Sequence, residues 1–323
     1  MDNLIVEGAG RSILVLHGGM GDLSSWEKVT DRLRDRFRVA RLYRRQYRLD
    51  VPRKVTMADE AAEVLAAAAT LDRPVVVGHS SGAVLALEAL VAASPGLFSG
   101  VVLYEPPLMI DDRRLGDGTQ SSHDGEQPGA AAQLGAAAQP GAAAQPGAAA
   151  QPGAAAQPGA AAQPGAAAQP GAAAQPGGAA QPGGNGERSI DRARAAITAG
   201  RPGTAFAIFL REIAGTGEEM AAAAEAAINQ KLEIGPIVER QLDDNDAIDA
   251  LGNRLAAYSK IDLPVLLITG DQSPRHLRER SSVLQAVLPD ARRVILRGEG
   301  HNAERSAPAR LAEVIGQFLD GEA

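Results

Sequence analysis

Short, uninterrupted apolar runs alternate along the chain with longer stretches in which apolar residues recur every three or four positions. Leu4-Ile5-Val6, Ser12 to Leu16, Phe37 to Tyr43, Val75-Val76-Val77, Gly100 to Tyr104, Leu263 to Thr269 and Arg292 to Leu296 read as strands. Between them lie helical patterns. Trp26, Val29 and Leu33 follow Ser24-Ser25-Trp26-Glu27, which has capping-box spacing. Thr56-Met57-Ala58-Asp59 opens an Ala-rich helix running to about Leu71, and Ala83 to Leu90, Arg275 to Leu288 and Pro308 to Leu319 form three more. Strands without polar alternation, separated by helices, imply a mostly parallel sheet buried on both faces: an α/β fold. From Ser189 to about Tyr258 the strands stop. Ile190, Ile197, Phe206, Phe209, Leu210 and Ile213 there provide apolar helix faces. Gly200-Arg201-Pro202-Gly203, Gly215-Thr216-Gly217 and Gly235-Pro236 divide the region into four or five short helices inserted before the last two strands.

One segment breaks this grammar. From Gly129 to Gln181 the unit Gly-Ala-Ala-Ala-Gln-Pro repeats with small defects at Leu134 and Gly178. Its prolines block a continuous helix and remove ladder donors, and its glycines do not recur at every third position as collagen requires. With no bulky aliphatic side chains it cannot bury enough surface to offset the entropy of ordering, so it reads as disordered. The expected organisation is a core from 1–115 and 260–323, a low-complexity insert at 116–186 and a helical lid at 187–259.

Composition narrows the functional classes. Of 323 residues none is cysteine, which excludes disulfide and thiol chemistry, and a net charge of −7 argues against a nucleic-acid partner. The first residues lack a basic segment followed by an apolar one, and no apolar run approaches the ~18 residues needed to cross a bilayer. A cytoplasmic protein is expected. The five histidines show no metal-ligand spacing, so neither metal nor cofactor is expected.

The chemistry centres on Gly78-His79-Ser80-Ser81-Gly82, which lies between an apolar strand and a helix. A G-x-S-x-G turn in that context is tight and strained, and it raises the serine above the strand end at the amino end of the following helix. Two further Gly-rich turns follow strands, His17-Gly18-Gly19 and Gly298-Glu299-Gly300-His301.

In this order the three motifs resemble the α/β-hydrolase superfamily, over about 1–110 and 260–320. The resemblance implies a serine-nucleophile member. Ser80 would be the nucleophile and His301 the general base, with a carboxylate completing a triad. The amides of Gly19 and Ser81 would form the oxyanion hole. His17 and His79 would be scaffold. In the commoner family pattern the acid lies three residues beyond the glycine that ends the penultimate strand, and here that position is Ser273. Asp271 is nearby but two residues early. A second family arrangement, known among dehalogenases, places a glutamate directly after the strand that follows the nucleophile helix. Glu105 matches it, so Glu105 is the expected acid and Asp271 the alternative.

A serine nucleophile implies acyl transfer on a small ester or related carbonyl compound, through a pocket lined by Met20, Trp26, Leu108, Met109, Phe206 and Phe209. The competing expectations are a non-catalytic ligand-binding relative, or a C–C hydrolase, perhydrolase or lyase of the same fold. Arg41, Arg44, Arg45, Arg48 and Arg53 are expected to be solvated or paired with local acids rather than to read an anionic substrate.

Overall fold

The computed structural model of the chain describes residues 3–110 and 188–321. The repeat tract lies outside the described residues. Seven strands form one sheet: β1 (Leu4–Glu7), β2 (Ser12–Leu16), β3 (Arg38–Leu42), β4 (Val75–His79), β5 (Gly100–Tyr104), β6 (Val265–Gly270) and β7 (Ala291–Leu296). Their spatial order is β1-β3-β2-β4-β5-β6-β7. Only β1 runs antiparallel to its neighbour; the other five pairings are parallel.

The unbroken apolar runs have a direct cause. Strands β2, β4, β5 and β6 are buried at every position. Successive side chains point to opposite faces. Leu14, Leu16, Val76, Val101, Leu103 and Leu267 pack on one side, against helices α2 (Met57–Ala68) and α3 (Ser81–Ala92). Ile13, Val15, Val77, Val102, Leu266 and Ile268 pack on the other, against α1 (Glu27–Leu33) and α11 (Pro308–Asp320). Both faces are covered, so neither needs polar residues.

Between β5 and β6, the described residues hold α4 (Ser189–Thr198), α5 (Pro202–Ile208) with a wide turn at Phe209–Ile213, α6 (Glu218–Asn229), α7 (Gly235–Leu251) and α8 (Leu255–Tyr258). Helix α9 (Arg275–Val287) links β6 to β7, and the short α10 (Ala303–Ser306) precedes α11. The insert has its own apolar centre, formed by Ile190, Ala193, Ala205, Ile228, Val238 and Leu242.

Local signals were read correctly at α2, where Thr56 and Asp59 form a reciprocal capping box. One other misled. Ser24 and Ser25 do not cap α1; their hydroxyls bond Asp22, and α1 begins after Trp26 with no side-chain cap. Gly235-Pro236 divides two helices as expected and itself opens α7, because proline is favoured in a first turn whose amides have no intrahelical acceptor.

Candidate active site

Parallel strands place all their carboxyl ends on one edge of the sheet. There the chain leaves β2 into His17-Gly18-Gly19, β4 into Ser80, β5 into Glu105, β6 into Asp271 and β7 into the loop carrying His301. This edge is where open α/β sheets form their crevices.

The turn at Ser80 is tight because its glycines leave no room for anything else. A Cβ on Gly78 would fall 2.5 Å from Ala83 Cα, and one on Gly82 would fall 2.4 Å from the carbonyl oxygen of His17. Ser80 itself has φ 52°, ψ −125°, a strained conformation for a residue with a side chain. Its amide is held by the Tyr104 carbonyl at 2.8 Å. A Cβ on Gly18 would lie 3.1 Å from Ser80 Cβ, so the His17 turn runs directly beside the serine.

His301 is reached through a chain of contacts. Its Nδ1 lies 2.6 Å from Glu105 Oε2, and the other carboxylate oxygen of Glu105 accepts the Gly270 amide at 2.7 Å. Glu105 is fully buried and has φ 50°. Nδ1 therefore carries the proton, and Nε2 is left as an acceptor. Asp271 is engaged elsewhere: its Oδ1 accepts the Gly298 amide at 2.8 Å. Ser273, at the commoner acid position, is buried beside Gly270 and carries no charge.

The loop around His301 is pinned from β4 and β5. The His79 ring lies 4.9 Å from the His301 ring, and His79 Nε2 donates to the His301 carbonyl at 2.8 Å. The Tyr104 hydroxyl donates to Gly300 O and accepts the Ala303 amide at 3.2 Å. Burial, and secondarily the neighbouring His301, lower the pKa of His79 to about 3, so it stays neutral.

On the other side, His17 Nδ1 donates to the Gly18 carbonyl at 2.8 Å, and its Nε2 accepts the Arg44 amide at 3.2 Å. Burial and then Arg44 bring His17 to about 3 as well. Arg44, expected at the surface or paired, is a buried hub. It donates to Ser81 Oγ at 2.6 Å, Glu60 Oε2 at 2.6 Å and Asp244 Oδ1 at 2.8 Å. Burial opposes its charge, but Asp244 and Glu60 outweigh burial and hold the guanidinium above its ordinary value. The Tyr47 hydroxyl lies 2.7 Å from Asp244 Oδ2 and 2.9 Å from Gln241 Oε1 of α7, and its one proton is shared between them. None of Arg44, Tyr104, Gln241 and Asp244 was singled out for the site from sequence; their signal, a polar residue facing an apolar core, exists only once the chain is folded. Trp26, expected in the pocket, lies instead in the core beside Val77 and Tyr104, with 2% of its surface exposed. Met20, like Phe206 and Phe209, is partly buried against the apolar centre of the insert.

Ser80, Glu105 and His301 thus all follow strands that end on one edge of the sheet. The model of the alpha/beta hydrolase family matches residues 13–314, and the chain belongs to that family. No curated protein matches it. Among solved structures it is similar to an alpha/beta hydrolase from Sphaerobacter thermophilus DSM 20745, with 20% identity, a TM-score of 0.64 and 98% and 95% of the two chains covered. It is also similar to a bromoperoxidase from Bacillus anthracis, with 14% identity, a TM-score of 0.60 and coverage of 98% and 94%. An esterase from Exiguobacterium antarcticum matches at 12% identity with a TM-score of 0.58, covering 98% and 94%. At these identities the likeness is one of fold.

Proposed function

We propose that the protein is a serine hydrolase acting on a small, uncharged ester or related carbonyl compound, with Ser80, His301 and Glu105 as its triad. The observation that carries this reading is the 2.6 Å contact between Glu105 and His301 Nδ1, with Ser80 held at φ 52° after the strand that pairs with the one leading to Glu105. Ser80 Oγ attacks the carbonyl carbon while its proton passes to His301 Nε2. The carbonyl π pair moves onto oxygen, where the amides of Gly19 and Ser81 stabilise it. Collapse expels the alcohol, which takes the proton from His301. Water then repeats the sequence and frees the acid and the serine.

The way the arginines are used supports an uncharged substrate. Arg41 pairs with Glu7, Arg44 with Glu60 and Asp244, Arg45 with Glu63, Arg48 with Asp50 and Arg53 with Asp243. The insert would act as a lid, and the apolar side chains of Met20, Phe206 and Phe209 favour an apolar acyl group. A panel of p-nitrophenyl esters of increasing chain length tests the reading. Turnover should be greatest for short acyl chains and absent in Ser80→Ala, and a fluorophosphonate should label the wild type far faster than His301→Ala. A folded protein that neither turns over nor labels would mark a ligand-binding relative instead.

A further inference from the structure

The oxyanion turn is not bare backbone on its outer side. Helix α7 of the insert lays the Gln241 carboxamide directly against Gly19: a Cβ on Gly19 would lie 2.0 Å from Gln241 Oε1 and 3.1 Å from Nε2. Gln241 is 6% exposed, a buried polar side chain that needs a reason to be there. Half of that reason is visible. Oε1 lies 2.9 Å from the Tyr47 hydroxyl and shares its one proton with Asp244 Oδ2, which is 2.7 Å away and one turn further along α7. Asp244 is locked to Arg44. The carboxamide is thus held in one plane by a chain of buried bonds reaching into the core. The other half is open: among the described residues Nε2 has no hydrogen-bond partner. Exchanging the two ends of the carboxamide would bring the amino group nearer still to Gly19.

We propose that Gln241 is a third oxyanion donor, a catalytic side chain supplied by the insert to the hole whose backbone donors are Gly19 and Ser81. This rests on the serine-hydrolase reading above. As the serine oxygen adds to the carbonyl, the negative oxygen forms beside Gly19, and a Gln241 N–H held there in advance donates to it. The bond strengthens as charge develops, so it lowers the barrier more than it helps substrate bind. It also ties catalysis to the seating of α7: the hole is complete only when the insert is packed down. Gly19 then has a second purpose, since any side chain there would push Gln241 out.

Gln241→Leu keeps the bulk and removes the donor. It should lower kcat by roughly 10²-fold with KM changed by less than about threefold. Binding of an aryl trifluoromethyl ketone, whose serine adduct carries the oxyanion, should weaken by a similar factor, while the plain methyl ketone binds as before. A merely structural role would weaken both ketones alike and raise KM, and that result, or a kcat within threefold of wild type, overturns the proposal. Should the leucine variant fail to fold, Gln241→Asn, a methylene shorter, makes the same test. The wild type separates the two claims. Ser80-dependent turnover with an unaffected Gln241 variant sinks only this proposal, whereas wild-type protein with no such turnover sinks the hydrolase reading on which it stands.

Discussion

Glu105 is buried at the end of β5 with both carboxylate oxygens occupied, one by His301 and one by the Gly270 amide. Those two bonds distinguish it from Asp271, which braces Gly298 at the neck of the His301 loop. The difference is testable at single atoms. Glu105→Gln exchanges an acceptor for an amide that can donate to Nδ1 and favour the wrong tautomer, and kcat should fall by about 10²-fold or more. Asp271→Asn keeps an oxygen for the Gly298 amide and should leave kcat within about threefold. Steady-state kinetics on one p-nitrophenyl ester measures both, and the reverse ranking would move the acid to Asp271. From sequence the choice rested on family pattern alone, because a carboxylate at a strand end looks the same whether it faces a histidine or a backbone amide.

At the scale of elements, the strand–turn–helix unit from β4 to α3 was legible almost whole. Apolar β-branched residues, a serine between glycines and an Ala/Leu-rich run each favour one local geometry. The reason Gly82 must be glycine was not legible, since it depends on β2: a Cβ would collide with the backbone carbonyls of Leu16 and His17, at 2.5 and 2.4 Å. Those carbonyls belong to a central strand and cannot step aside. Gly82→Ala should cost about 1–3 kcal/mol in urea unfolding and also lower kcat, because relief requires moving the turn that follows β2. A stable, fully active variant would mean that the turn adapts more freely than its packing implies. The error at Ser24-Ser25 has a similar origin. A nearby Asp22 competes for both hydroxyls, and a three-residue spacing rule does not register that competition.

For the whole molecule, two buried neutral histidines make acid a destabiliser. His17 and His79 titrate near 3 when folded and near 6.5 when free, so between those values the unfolded chain binds more protons and stability falls as pH falls. Glu60 and Glu304, raised chiefly by burial, oppose this, because above their ordinary range the folded protein keeps protons that the unfolded chain has lost. Isolating one group gives a clean sign. His17→Gln retains an acceptor for the Arg44 amide but cannot titrate. Its stability between pH 6 and 5 should fall less steeply than that of the wild type by roughly 1 kcal/mol per pH unit. Equal slopes in chemical denaturation would show that His17 is not held neutral. Among the described residues no helix is long and apolar enough to cross a membrane.

Hydrophobic periodicity by itself determined the seven strands, their burial on both faces, the helices between them and the turns that end each strand, because these follow from local propensity and from which residues must leave water. The order of the turns carried the resemblance to the alpha/beta hydrolase family, to which the chain belongs. Tertiary structure alone decided which carboxylate meets His301, that Arg44 is buried rather than exposed, that Trp26 belongs to the core, and that Gln241 lies on Gly19. Each of these depends on residues far apart in the chain: 196 positions separate Glu105 from His301, and 200 separate Arg44 from Asp244. Such pairings carry no periodic signal, and they form only when parallel strands bring their carboxyl ends to one edge and helices distant in sequence pack against the core.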